Sequence, residues 1–175
     1  MKLYHFSEED DISIFKPRVK DNRRNMPPVV WAIDEEHQFT FFLPRSCPRI
    51  VYTKHDDIDE QDYKKFFGTT NAEIVITLEA NWYNSIMNTT LYRYELPSDT
   101  FSIFDERAGY YISYEEVKPS RLTLIKNGIE RLIAMNIEVR FTPELNTLRN
   151  ELLKSTIKDF GIYHFDRVGA LHDIS

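Results

Sequence analysis

His5 lies between Tyr4 and Phe6 near the start of the chain, in an apolar stretch that reads as a strand. Side chains alternate across a strand, so the imidazole points away from both aromatic neighbours. On a cleft-facing side it would donate to a ribose hydroxyl or a phosphate. On a core-facing side it would be a histidine with one satisfied hydrogen bond. Glu115 and Glu116 pose a similar alternative. In extended chain their carboxylates point to opposite faces, so one enters a cleft while the other meets solvent, or both are solvated acids at a strand end. A third candidate is Arg45-Ser46-Cys47-Pro48-Arg49, stiffened by Pro44 and Pro48. Two guanidinium groups on such a turn suit bidentate recognition of a carboxylate or phosphate; otherwise each pairs with a carboxylate and locks the loop to the body.

Other clusters carry less. The acids from Asp56 to Asp62 fail as a calcium loop, because counting from Asp57 the glycine position holds Asp62 and the terminal glutamate position holds Gly68. They suit a solvated helix start, with acids at the positive end of the dipole. His5, His37, His55, His164 and His172 show no metal-ligand spacing, so no metal site is expected, and the last two read as ordinary. Cys47, the only cysteine, reads as a small buried residue and permits no intrachain disulfide, which suits a reducing cytoplasm. The five glycines never take dinucleotide or P-loop spacing.

The elements that position these residues follow from periodicity and turn chemistry. Lys2–Phe6 is read as a strand, and Ser7 as a cap leading with Asp10 into a short helical turn. Lys16 to Pro28 holds Arg18, Lys20, Arg23 and Arg24 and almost nothing apolar, which predicts an exposed, mobile loop. Val29–Ile33 reads as a buried strand, and Asp34 as the cap of a helix over 35–43, stopped by Pro44. Further strands are expected at 50–53, 73–78, 89–96, 110–113 and 121–125, and helices at 59–67, 129–135 and 143–157. In the last of these, Thr142 would cap, Pro143 would take the first position, and Leu145, Leu148, Leu152 and Leu153 would share a face.

With 175 residues, 42% hydrophobic, no repeat and no linker, the expectation is one α+β domain over 1–175, with a mainly antiparallel or mixed sheet and flanking helices. A net charge of -6 argues against a broad nucleic-acid surface. The acidic start and the shortness of the longest apolar run argue against export or a membrane span.

The segments LYHFSEE, PVVWAIDEEH, FFLPRSCPR and GYYISYEEVKP resemble a family of uncharacterised bacterial proteins over nearly the whole chain. More distantly, a histidine on an early strand, an aromatic on the second and a late glutamate before hydrophobic-x-Pro resemble the ADP-ribosyltransferase-like fold. That resemblance implies His5 on the adenosine-side ribose of NAD and Trp31 or a nearby aromatic against nicotinamide. It also implies Glu116 on the nicotinamide ribose, stabilising the charge that develops as nicotinamide leaves, and Arg45 or Arg49 on the pyrophosphate. His5 and Glu116 are then the catalytic candidates, and Ser7, Trp31, Arg45 and Arg49 the cofactor-binding ones. Trp31 stands where that fold usually has tyrosine, and no acceptor-recognition loop is identifiable. The competing expectations are a module that grips an anionic ligand (nucleotide, phosphate or RNA end) through its arginine turn and basic loop, and an interaction protein whose aromatics serve core or partner.

Overall fold

A computed structural model describes residues 1–169. In chain order its strands are β1 (Leu3–Ser7), β2 (Val30–Asp34), β3 (Arg49–Thr53), β4 (Ile74–Glu79), β5 (Leu91–Leu96), β6 (Ser102–Asp105), β7 (Tyr110–Ser113), β8 (Arg121–Ile125), β9 (Glu138–Thr142) and β10 (Phe160–Tyr163). The helices are α1 (Glu60–Asp62), which continues as a π turn over Tyr63–Phe67, α2 (Tyr83–Asn88), α3 (Gly128–Ala134) and α4 (Asn146–Leu153). The architecture is α+β. The chain divides into two compact units, Met1–Phe42 with Thr90–Lys126, and Leu43–Thr89 with Asn127–Ser175, and each is built on one sheet.

The first unit carries six antiparallel strands in the order β6-β7-β2-β1-β5-β8. Register assigns the side chains to faces. His5 is opposite Tyr94, Ser7 opposite Tyr92 and Leu3 opposite Leu96, so these share one face with Val30 and Ala32. Phe15 and Val117 join that face as an isolated antiparallel bridge and complete an apolar cluster with Leu3, Val30, Ala32, Tyr94 and Leu96. The opposite face presents Tyr4, Phe6, Trp31, Ile33, Tyr110 and Ile112.

The second unit carries a mixed sheet in the order β10-β3-β4-β9, in which β4 and β9 are parallel and the other pairs antiparallel. Its central strands are buried along nearly their whole length, as sheets covered on both faces require. Its core is Ile50, Tyr52, Phe66, Phe67, Val75, Leu145, Leu152 and Ile157. Arg140 on β9 ties the π turn to this sheet, donating to Phe66 O at 2.6 Å, Phe67 O at 3.4 Å and Tyr52 Oη at 3.0 Å.

Several expected elements shift for identifiable reasons. No helical turn follows Ser7: its hydroxyl accepts from Glu9 N, while Tyr94 Oη donates to Glu9 O and accepts from Ile12 N, occupying backbone groups that a helix would use. Asp34 caps no helix: its Oδ1 accepts from His37 N at 2.8 Å and closes a turn over 35–37, and the 3₁₀ turn over Gln38–Phe41 that follows has His37 at its N-cap position without a side-chain cap. The last helix begins at Asn146 rather than Pro143. Thr142 is the end of β9, and the Glu144 carboxylate accepts from the N–H groups of Asn146 and Thr147 instead. Leu145, Leu148 and Leu152 pack inward, whereas Leu153 is 51% exposed, one residue off that face. Strands β6, β9 and β10 and helix α2 were not expected from periodicity.

Candidate functional site

The β1–β2 register sends the side chains of His5 and Trp31 to opposite faces of one sheet, although His5 Nδ1 lies 2.9 Å from Trp31 O. A carbonyl only accepts, so Nδ1 carries the proton in that bond, and the imidazole is held on the face that contains Phe15, its ring centroid 4.7 Å away. Phe15 also connects His5 to the glutamates, because its backbone pairs with Val117, the residue after Glu116. Glu116 itself is exposed and lies 3.7 Å from Lys16 Nζ. Glu115 is exposed too, and its N–H donates to Ser113 Oγ. Ser7 is buried, its hydroxyl held in the turn with Glu9. The pairs brought together are thus His5 with the Trp31 carbonyl, and His5 with Phe15 beside the Glu116 segment. The side chains of His5 and Trp31 are not.

Trp31 is 8% exposed because other groups cover its indole. Phe104 and Tyr110 meet it edge-on at 4.9 and 5.9 Å. Lys20 Nζ stands 4.1 Å from the indole centroid, and the Arg23 guanidinium 5.0 Å from it and 4.9 Å from Phe104. The segment carrying these cations is the exposed basic loop. It is fixed at one point by the bridge between Arg18 and Val29, both of whose N–H···O bonds measure 3.1 Å, and it includes a 3₁₀ turn over Asp21–Arg23. Cation–π attraction explains the approach of each charge to the indole. Two positive charges sharing one ring repel each other, and an anion beside them relieves that repulsion. Among the described residues, none of Arg18, Arg23 and Arg24 pairs with a carboxylate, although acids outnumber bases in this chain by 28 to 22.

The arginine turn belongs to the second unit and separates its two guanidinium groups by role. Arg45 is exposed, whereas Arg49 is 1% exposed and donates to Pro44 O at 3.2 Å and Cys47 O at 3.3 Å. Arg49 therefore closes its own turn. Cys47 is fully buried and its thiol is pushed up to about 12, first by desolvation, with Glu79 adding to the rise and Arg49 opposing it. At neutral pH it is a protonated thiol, not a nucleophile. Glu79 is also fully buried, and its carboxylate accepts from Leu145 N at 3.2 Å and Gly169 N at 2.9 Å.

One arrangement in the first unit escaped the sequence reading. His37 directs both its N–H and Nδ1 to Asp34 Oδ1, each at 2.8 Å, and Gly109 packs against the pair. Aspartate three residues before a histidine was the available signal, but it was absorbed into the expected helix cap. Phe104 was missed with its strand. Lys20 and Arg23 were noticed as loop cations, but nothing in their spacing pointed to Trp31. His172 lies outside the described residues. Among the described residues no group of histidine, cysteine and acidic side chains could hold a metal, and no helix is long and apolar enough to cross a membrane.

No curated protein and no solved structure matches the chain. A family model matches residues 4–168, nearly the whole sequence, and the chain therefore belongs to the family of unknown function DUF6886.

Proposed function

We propose that the first unit is a binding module for a small phosphate-bearing ligand, taken up by the basic segment that crosses Trp31. The observation that carries this reading is the convergence of Lys20 and Arg23 on one indole in a loop where Arg18, Arg23 and Arg24 have no carboxylate partner among the described residues. Guanidinium forks match phosphate oxygens, and a loop anchored on a packed aromatic needs little further ordering to present them. Calorimetric titration with ATP and ADP-ribose tests it. The module reading expects saturable binding that weakens as salt rises, is lost in Arg23→Gln and survives Glu116→Gln. Absence of binding at low salt, or binding indifferent to Arg23, contradicts it.

The transferase reading keeps one specific support, the contact of Phe15 with His5 through its ring and with Val117, the residue after Glu116, through its backbone. In that reading the face bearing His5 takes NAD, and Glu116 leaves Lys16 to bind the nicotinamide ribose. Nicotinamide release from NAD that disappears in Glu116→Gln supports it. Release absent from the wild-type protein removes it.

A further inference from the structure

We infer that β8 is a self-association edge, through which two copies of the chain pair antiparallel about a two-fold axis at Thr123. The two edges of the six-stranded sheet differ. β6 is four residues long, ends in Asp105 and is irregular between Ile103 and Asp105, features that discourage further strand addition. β8 pairs with β5 without a register shift and contains no proline, and its only charged residue is Arg121 at the start. Leu122 and Leu124 are 43% and 47% exposed. They share the face of Tyr94 and Tyr92, their partners on β5, so they extend the apolar side of the sheet to its margin.

A two-fold at Thr123 makes this strand complementary to itself. Leu122 falls opposite the partner's Leu124, Thr123 opposite the partner's Thr123, and Arg121 opposite the partner's Ile125, so no like charges face each other. Carried one residue past each end of β8, the same register sets the partner's Lys126 opposite Ser120. Ser120 lines a cavity of about 350 Å³ together with Asp10, Asp11, Tyr94, Arg121 and Leu122. Two carboxylates against one guanidinium leave a net negative charge where the partner's ammonium arrives, and symmetry repeats the contact. This complementarity selects a second copy of the chain as occupant over an unrelated apolar strand. It stands independently of the ligand reading.

Sedimentation equilibrium of the full chain over a wide concentration range tests it. The inference expects a monomer–dimer equilibrium. Leu124→Lys, on an exposed position that leaves folding intact by circular dichroism, should weaken association about tenfold or more, since each dimer loses the contact twice. Lys126→Glu should weaken it at low salt, and adding Asp10→Lys and Asp11→Lys to Lys126→Glu should restore it. A monomer at every concentration up to about 1 mM overturns the inference. So does a dimer whose affinity is unchanged by Leu124→Lys, or a charge reversal that does not rescue, because association would then use another surface or partner chemistry.

Discussion

Gly109→Ala should destabilise the protein by roughly 2–5 kcal/mol, and the reason is local. Gly109 has φ +70°, in the left-handed region, and Asp34 N donates to its carbonyl at 3.0 Å, which closes the end of the β2–β7 pair. An alanine there carries a left-handed backbone cost of about 1–2 kcal/mol. Its Cβ would fall 2.3 Å from His37 Nδ1 and 2.7 Å from Asp34 Oδ1, side-chain atoms held in place by their mutual hydrogen bond and by the His37 N–H. The imidazole must move away, which breaks its 2.8 Å bond to Asp34 and removes about 1–3 kcal/mol more. Gly169 supplies the control. It has φ +74° with nothing within 4 Å of an added Cβ, so Gly169→Ala should carry only the backbone cost of about 1–2 kcal/mol. Urea unfolding followed by circular dichroism measures both, with the slope held constant across variants. Losses equal within about 0.5 kcal/mol would refute the close packing of Gly109 on the Asp34–His37 pair.

Other consequences can be checked in parallel. Arg140→Met removes the donor to Phe66 O, Phe67 O and Tyr52 Oη, leaves those oxygens partly unsatisfied, and should lower unfolding free energy by about 2–4 kcal/mol in the same assay. Cys47, with its thiol pushed up to about 12 and fully buried, should resist a disulfide-exchange reagent at pH 8 in the folded protein and react at once in urea. Asp62 is held below the ordinary carboxylate range by hydrogen bonds from Thr156 N at 2.6 Å and Thr156 Oγ1 at 2.8 Å. A folded pKa below the unfolded one contributes stability that is present above about pH 4 and lost as pH falls through the folded value. Thr156→Val should therefore move the Asp62 titration, followed by carboxyl-carbon NMR, back toward its ordinary position and flatten the acid side of the stability profile.

The strands that carry their own signature were legible in the sequence. β7 and β8 fall where the aromatic and β-branched runs placed them, and β1 to β5 within one or two residues. In β9, Glu138 to Thr142 does alternate polar and apolar residues as a strand does, but the run is only five residues long and abuts Thr142-Pro143, which looks like a stronger helix start than it is. The carboxylate of Glu144, two residues on, wins that competition for the free N–H groups. β6 is four residues long and largely exposed, so burial leaves little apolar pattern on it, and β10 is four residues long, mostly half-buried and interrupted by Gly161. For the site, residue types were legible but faces were not. His5 and Trp31 lie on different strands, and only the register of β1 against β2 fixes which way each ring points. The arginine pair failed as a pair for a similar reason: Pro44 O and Cys47 O turn inward and take Arg49 with them, a tertiary fact without a sequence period.

The claim that the basic segment over Trp31 takes a phosphate-bearing ligand is tested most directly by fluorine NMR of protein labelled with 5-fluorotryptophan. The chain has two tryptophans, so two resonances arise, and Trp31→Phe assigns them. Trp31 lies under Lys20 and Arg23, whereas Trp82 is buried in the second unit. On titration with ADP-ribose at low salt, the account predicts a saturable shift of the Trp31 resonance alone, reversed by added salt and absent in Arg23→Gln. A Trp31 resonance that stays in place through the titration, or a shift that persists in Arg23→Gln, would contradict it.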